Sequence, residues 1–286
     1  SYDFIAGGTG SGNVDASKAD DFKTALEKSG LKVNPTLWDF YKTGAGAEYD
    51  RSASAGESAV LAGQASIAEV PMDVYTDDVK KSIAEYGDAA IITFSRVGGE
   101  GYDLQFTEYN YLALDENEKA MLKYACDLKA DGKIKKVVVL INTSNALQVD
   151  FLKDDAYDID ACLWIGGVGI SGTNAVTDIL AGKVNPSGSL VDTYCYDNYS
   201  SPAMQNMGDY NYTGTDYYYV NYSEGIYVGY RYFTTYAPEA IAYPFGYGLS
   251  YTTFEYSEPV LSEATMENNA PVKVSVTVKN TGSFDG

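Results

Sequence analysis

Glu100 lies in the segment Phe94-Ser95-Arg96-Val97-Gly98-Gly99-Glu100-Gly101-Tyr102-Asp103, with glycine on both sides and an apolar run before it. A carboxyl group there suits general acid/base chemistry, because small neighbours let a substrate come close to the proton donor. A solvated turn glutamate is the alternative. Ser11, in Gly7-Gly8-Thr9-Gly10-Ser11-Gly12, sets one hydroxyl in a glycine-rich loop that could hydrogen-bond a sugar or serve only a turn. That loop lacks the Gly-Lys-Ser/Thr ending of a phosphate loop. Gly167-Val168-Gly169-Ile170-Ser171-Gly172 is a literal G-x-G-x-x-G, with Asp192 downstream near the distance of a ribose-binding acid. Its alternative is glycine used for close packing of helix on sheet.

The elements that must position these residues predict an α/β fold. Ala89 to Phe94 and Ala161 to Ile165 read as strands, and Lys136 to Asn142 is the clearest strand of the chain. Helices are expected at Asp20 to Lys28, Ser58 to Ile67, Thr76 to Tyr86, Leu114 to Leu128, Ala146 to Leu152 and Thr173 to Leu180. This alternation implies a three-layer sandwich with a mostly parallel sheet flanked by helices. In such sheets ligands bind outside the carboxyl ends of the strands, which is where Glu100 falls.

Beyond about Asp197 the chain becomes loop-rich and dense in tyrosine, including Tyr210, Tyr212, Tyr217, Tyr218, Tyr219 and Tyr222. Such rings could stack on sugars, or cover apolar surface or a neighbouring domain. Val272 to Val278 alternates with period two and is expected to start a β module that ends at Gly286 without partner strands. The expected organisation is residues 1–200 as the α/β sandwich domain, 201–270 as a loop-rich extension wrapping the sandwich and linking onward, and 271–286 as a truncated β module.

Twenty Lys and Arg against 40 Asp and Glu give a net charge of -20, which opposes nucleic acid or an anionic membrane as partner. With no histidine among 286 residues, a Ser-His-Asp triad, a Cys-His pair and mixed Cys/His zinc sites are excluded. Cys126, Cys162 and Cys195 match no metal spacing and are expected to be buried and structural. Asn198, Asn211 and Asn221 each open an N-x-Ser/Thr triplet, which alone does not establish secretion. No apolar run reaches membrane-span length and the first residues do not form a signal peptide, so a soluble protein, cytoplasmic or secreted, is expected. The chain opens mid-motif, as a fragment would.

Together the segments resemble a known family. Gly7 to Gly12, Ser95 to Asp103, Asn185-Pro186-Ser187-Gly188-Ser189-Leu190, Tyr222 to Tyr232 and Pro244 to Thr252 are similar, in order, to the motifs of the second domain of glycoside hydrolase family 3, the β-glucosidase type. Val278-Lys279-Asn280-Thr281-Gly282 is similar to the opening of the fibronectin-III-like domain that follows in that family.

The resemblance implies the acid/base-bearing part of a retaining β-glycosidase acting on β-linked glucosides or related oligosaccharides. Glu100 would be the general acid/base and Ser11 would help hold the sugar in the first subsite. The carbohydrate would be shared with a (β/α)₈ barrel that supplies an aspartate nucleophile and is absent from this chain, so the chain alone would be inactive. No cofactor or metal is implied. Some relatives use a histidine as acid/base, whereas this chain carries the glutamate motif. Two departures stand out: Leu104 follows Asp103 where the family often has arginine, and Gly169-Ile170-Ser171-Gly172 replaces a Gly-Gln-Glu-x-Gly turn. The competing functions are a dinucleotide-binding module using Gly167, Gly169 and Gly172, and a noncatalytic interaction domain.

Overall fold

Three parallel strands, β1 (Ala90–Arg96), β2 (Val137–Thr143) and β3 (Ala161–Trp164), form a sheet in the order β1-β2-β3. The computed structural model describes residues 4–8, 10–49, 69–98, 111–205, 214–219 and 221–286. Ile92 is opposite Val139 and Arg96 opposite Thr143 across β1 and β2, while Leu140 faces Leu163 across β2 and β3. Helices cover both faces, which is why the strands read as unbroken apolar runs. Alternate residues Ile92, Phe94, Val137, Val139 and Ile141 pack against Leu122, Ala125 and Leu128 of the helix Glu116–Ala130. On the other face Leu140 meets Phe22 and Leu26 of the helix Phe22–Lys28, Trp38 of Pro35–Lys42 and Val176 of Gly172–Leu180. The three-layer sandwich expected from the sequence is present.

Helix starts follow local chemistry. Asp21 accepts from Thr24 N, Asn34 from Leu37 N and Thr76 from Val79 N, each satisfying a first-turn amide that has no helical partner. At the helix Glu116–Ala130, Asp115 and Glu118 form a reciprocal capping box.

Four expectations are corrected or lie outside the described residues. Ala146 to Leu152 is not an α-helix: residues 146–149 are irregular, with Leu147 and Val149 buried, and a short 3₁₀ turn at Asp150–Lys153 carries the buried Phe151. Cys126 and Cys195 are buried, but Cys162 is exposed on β3, whose residues are mostly exposed. The helix expected at Ser58 to Ile67 lies outside the described residues. The closing segment does have partner strands, since Val278–Asn280 pairs antiparallel with Phe254–Tyr256, and Val274–Ser275 with Val260–Leu261.

Ahead of that module, Tyr194–Cys195 pairs antiparallel with Ile241–Tyr243. Tyr217, Tyr218 and Tyr222 are 75%, 78% and 83% exposed, so their rings do not bury apolar surface of this chain. Tyr210 and Tyr212 lie outside the described residues.

Candidate active site

Asn142, the penultimate residue of β2, is buried at the carboxyl end of the sheet. Its Oδ1 accepts from Ile5 N at 2.6 Å and from Ser95 Oγ at 3.0 Å. Its Nδ2 donates to Ile5 O at 3.1 Å and to Gly166 O at 2.6 Å. An amide side chain has two donors and two acceptor lone pairs, so its capacity is filled. One side chain thus joins the first described segment, the end of β1 and the turn after β3.

Glycines let these loops touch. A Cβ on Gly8 would stand 3.1 Å from Gly98 O, and one on Gly167 would stand 3.3 Å from Ala6 O. The loop carrying Ser11 is therefore laid against the residue two places before Glu100. Ser11 itself is exposed, on the short 3₁₀ turn Gly10–Gly12. Glu100 lies outside the described residues. The structure brings the Ser11 loop to the root of the Glu100 segment.

The G-x-G-x-x-G segment is engaged by the chain's own backbone. Gly169 N donates to Ala6 O at 2.7 Å and Val168 N to Ile5 O at 3.4 Å. These amides are among those a pyrophosphate would need at a helix start. Gly169 has φ +65°, which favours glycine without any ligand. Close packing accounts for Gly167 and Gly172, whose Cβ atoms would crowd Ala6 O and Val168, while Gly169 would meet nothing within 4 Å and is explained by its φ alone.

Sequence reasoning missed the residues that close the base of the Glu100 segment. The side chain of Arg96 is 0% exposed and forms a bidentate pair with Glu118, Nη1 to Oε1 at 2.8 Å and Nη2 to Oε2 at 2.7 Å. Its remaining N–H groups reach three carbonyls: Nε donates to Tyr111 O, Nη1 to Ser95 O at 2.9 Å and Nη2 to Ala113 O at 2.7 Å. Tyr111 adds a second tie, its hydroxyl accepting from Val97 N at 2.8 Å. Desolvating an ion pair is costly, and removing one partner of such a pair typically costs about 3–5 kcal/mol. The available sequence signal was an arginine at the end of a buried strand, a charge that needs a partner.

Asn145 was missed as well. Its Oδ1 is buried and has no hydrogen-bond partner among the described residues, and a Cβ on Gly98 would come within 2.7 Å of it. Among the described residues no cluster of three or more His, Cys, Asp or Glu could hold a metal ion, and no helix is long and apolar enough to cross a membrane.

Comparison with known proteins bears on the whole chain. The family model described as "Glycosyl hydrolase family 3 C-terminal domain" matches residues 3–251. The chain is 33% identical over 285 residues to a β-glucosidase of Ruminococcus albus, covering 99% of this chain and 27% of that protein. It is 31% identical to β-glucosidase A of Butyrivibrio fibrisolvens, covering 100% of this chain and 36% of that protein. The solved structure of β-glucosidase 3B from Thermotoga neapolitana, in complex with α-D-glucose, superposes with a TM-score of 0.77 at 29% identity, covering 97% of this chain and 36% of that one. The chain thus spans about a third or less of the length of these relatives.

Proposed function

Because the chain belongs to glycoside hydrolase family 3 as its C-terminal domain, we propose that it is the acid/base-bearing part of a retaining β-glycosidase acting on β-linked glucosides or related oligosaccharides. Glu100 is the general acid/base and Ser11 a sugar contact. The aspartate nucleophile comes from a (β/α)₈ barrel outside this chain, and residues 1–200 form the domain that faces it. The chain by itself is inactive. The observation that supports this reading is the close approach of Gly8, in the Ser11 loop, to Gly98, two residues before Glu100 in the sequence. The names of the relatives point to β-glucosides as substrates.

In a retaining enzyme the two carboxyl groups stand about 5–5.5 Å apart, one attacking the anomeric carbon while the other protonates the departing oxygen. Glu100 must be protonated for the first step, and the negative charge of the nucleophile favours that state. Once the glycosyl-enzyme ester forms, that charge is gone. Glu100 then ionises more readily and takes the proton from the attacking water.

The test is Glu100→Ala in the full-length protein. Hydrolysis of aryl β-glucosides with poor leaving groups should fall by about 100-fold or more. Added azide, which needs no base, should restore turnover of substrates with good leaving groups. Unchanged hydrolysis would remove Glu100 from the reaction.

A further inference from the structure

We propose that Arg96 is a positioning residue for the general acid/base: its guanidinium, with Tyr111 beside it, holds closed the base of the segment 97–110 and so sets where Glu100 stands. This rests on the assignment of Glu100 above.

Arg96 ends β1 ahead of the segment, Tyr111 follows the segment, and the residues flanking it on both sides meet on one side chain. Nε donates to Tyr111 O and Nη2 to Ala113 O on the returning side, while Nη1 donates to Ser95 O on the leaving side. The remaining two N–H groups form the fork on Glu118, whose Oε2 also accepts from Asp115 N in the capping box. All five donors of the guanidinium are used. The Tyr111 hydroxyl accepts from Val97 N and its ring lies 5.5 Å from the Arg96 guanidinium carbon. In the sequence Glu100 falls between them, four residues past Arg96 and eleven before Tyr111.

A brace at this place has a chemical consequence. Proton transfer depends on the acid sitting within hydrogen-bond reach of the leaving oxygen, and a misplacement of about 1 Å can cost about 100-fold. Bond cleavage to a leaving group that departs unaided depends little on that placement. Lysine has one ammonium and no planar fork, so it cannot hold two carbonyls on the returning side and both Glu118 oxygens together.

The experiment compares Arg96→Lys and Tyr111→Phe in the full-length protein, using kcat/KM for 2,4-dinitrophenyl and phenyl β-glucoside, with thermal unfolding alongside. A loosened base should lower the phenyl value by about 10–100-fold and leave the dinitrophenyl value within a few fold, approaching the pattern of Glu100→Ala. Equal losses on both substrates, or lowered thermal stability with neither value changed, would mean that Arg96 only stabilises the fold. If Arg96→Lys does not fold, Tyr111→Phe decides alone, since it loosens the same base without stranding a charge. If Glu100→Ala spares phenyl β-glucoside, the assignment of Glu100 fails whatever the Arg96 variants do. If Glu100→Ala is crippled and the Arg96 and Tyr111 variants show no leaving-group dependence, only the positioning role fails.

Discussion

Gly8 and Gly98 touch across the carboxyl end of the sheet, so that a Cβ on Gly8 would stand 3.1 Å from Gly98 O. The two residues are 90 positions apart in the chain. Their contact is possible because Asn142 holds Ile5 by both its amide and its carbonyl, and holds Ser95 Oγ with the same Oδ1. A buried side chain of β2 thus sets the distance between two loops that share no sequence neighbourhood.

Gly8→Ala should push these loops apart by a few tenths of an ångström. A backbone carbonyl is the obstacle, which cannot swing away as a side-chain tip would, so a stability loss of about 1 kcal/mol is expected. In the full-length protein KM for aryl β-glucosides should rise. Wild-type KM together with wild-type stability would show that the approach has no bearing on the substrate.

Asn142→Ala should cost more, about 3 kcal/mol, because it strands the Ile5 amide and carbonyl, Gly166 O and Ser95 Oγ at a buried site. Urea unfolding measures the loss. Hydrogen exchange at the Ile5 amide should quicken well before global unfolding, and an unchanged exchange rate there would contradict the tie.

Ser11→Ala separates sugar binding from turn chemistry. Ser11 is exposed, so stability should change by no more than about 0.5 kcal/mol. Losing one hydrogen bond to the sugar should raise KM about fivefold, the equivalent of about 1 kcal/mol. A wild-type KM would leave Ser11 with the turn role alone.

β1 and β2 were legible because their residues are largely buried and the runs are bounded by polar residues, as in Val137–Thr143. The segment 146–152 misled for a related reason. Leu147, Val149 and Phe151 are buried two residues apart, which is not α-helical spacing, yet a helix was expected from the place between two strands where a crossover helix usually lies. The helix Pro35–Lys42 was missed although Asn34-Pro35 is a start signal with the cap and the proline in order. Of the residues proposed for the site, Glu100 and Ser11 stood out by residue type and glycine context. Arg96, Glu118 and Asn142 did not, because each acts through partners remote in sequence: Ile5 lies 137 positions from Asn142. The meaning of a buried polar residue depends on which groups it satisfies, and that is settled only by the fold.

Away from the proposed site, Asp160 should make the chain less stable in acid. Its carboxylate receives Lys129 Nζ and Lys136 Nζ, each at 2.7 Å, and Val137 N at 2.8 Å. Burial works against its ionised form, but the hydrogen bonds from the two lysines and the Val137 amide outweigh it and hold the carboxyl well below the usual range. A carboxyl lowered on folding contributes stability that is present above its unfolded pKa, about 3.9, and is lost as pH falls through the folded value. Asp160→Asn should therefore cost about 1–3 kcal/mol at pH 7, since an amide accepts these hydrogen bonds only weakly and carries no charge. The gap between variant and wild type should narrow as pH is lowered from about 5 towards 2, because only the wild type has that contribution to lose. Urea midpoints at pH 7, 5, 4 and 3 would measure it. A gap that stays constant over that range would show that the ionised carboxylate is not what Lys129 and Lys136 stabilise.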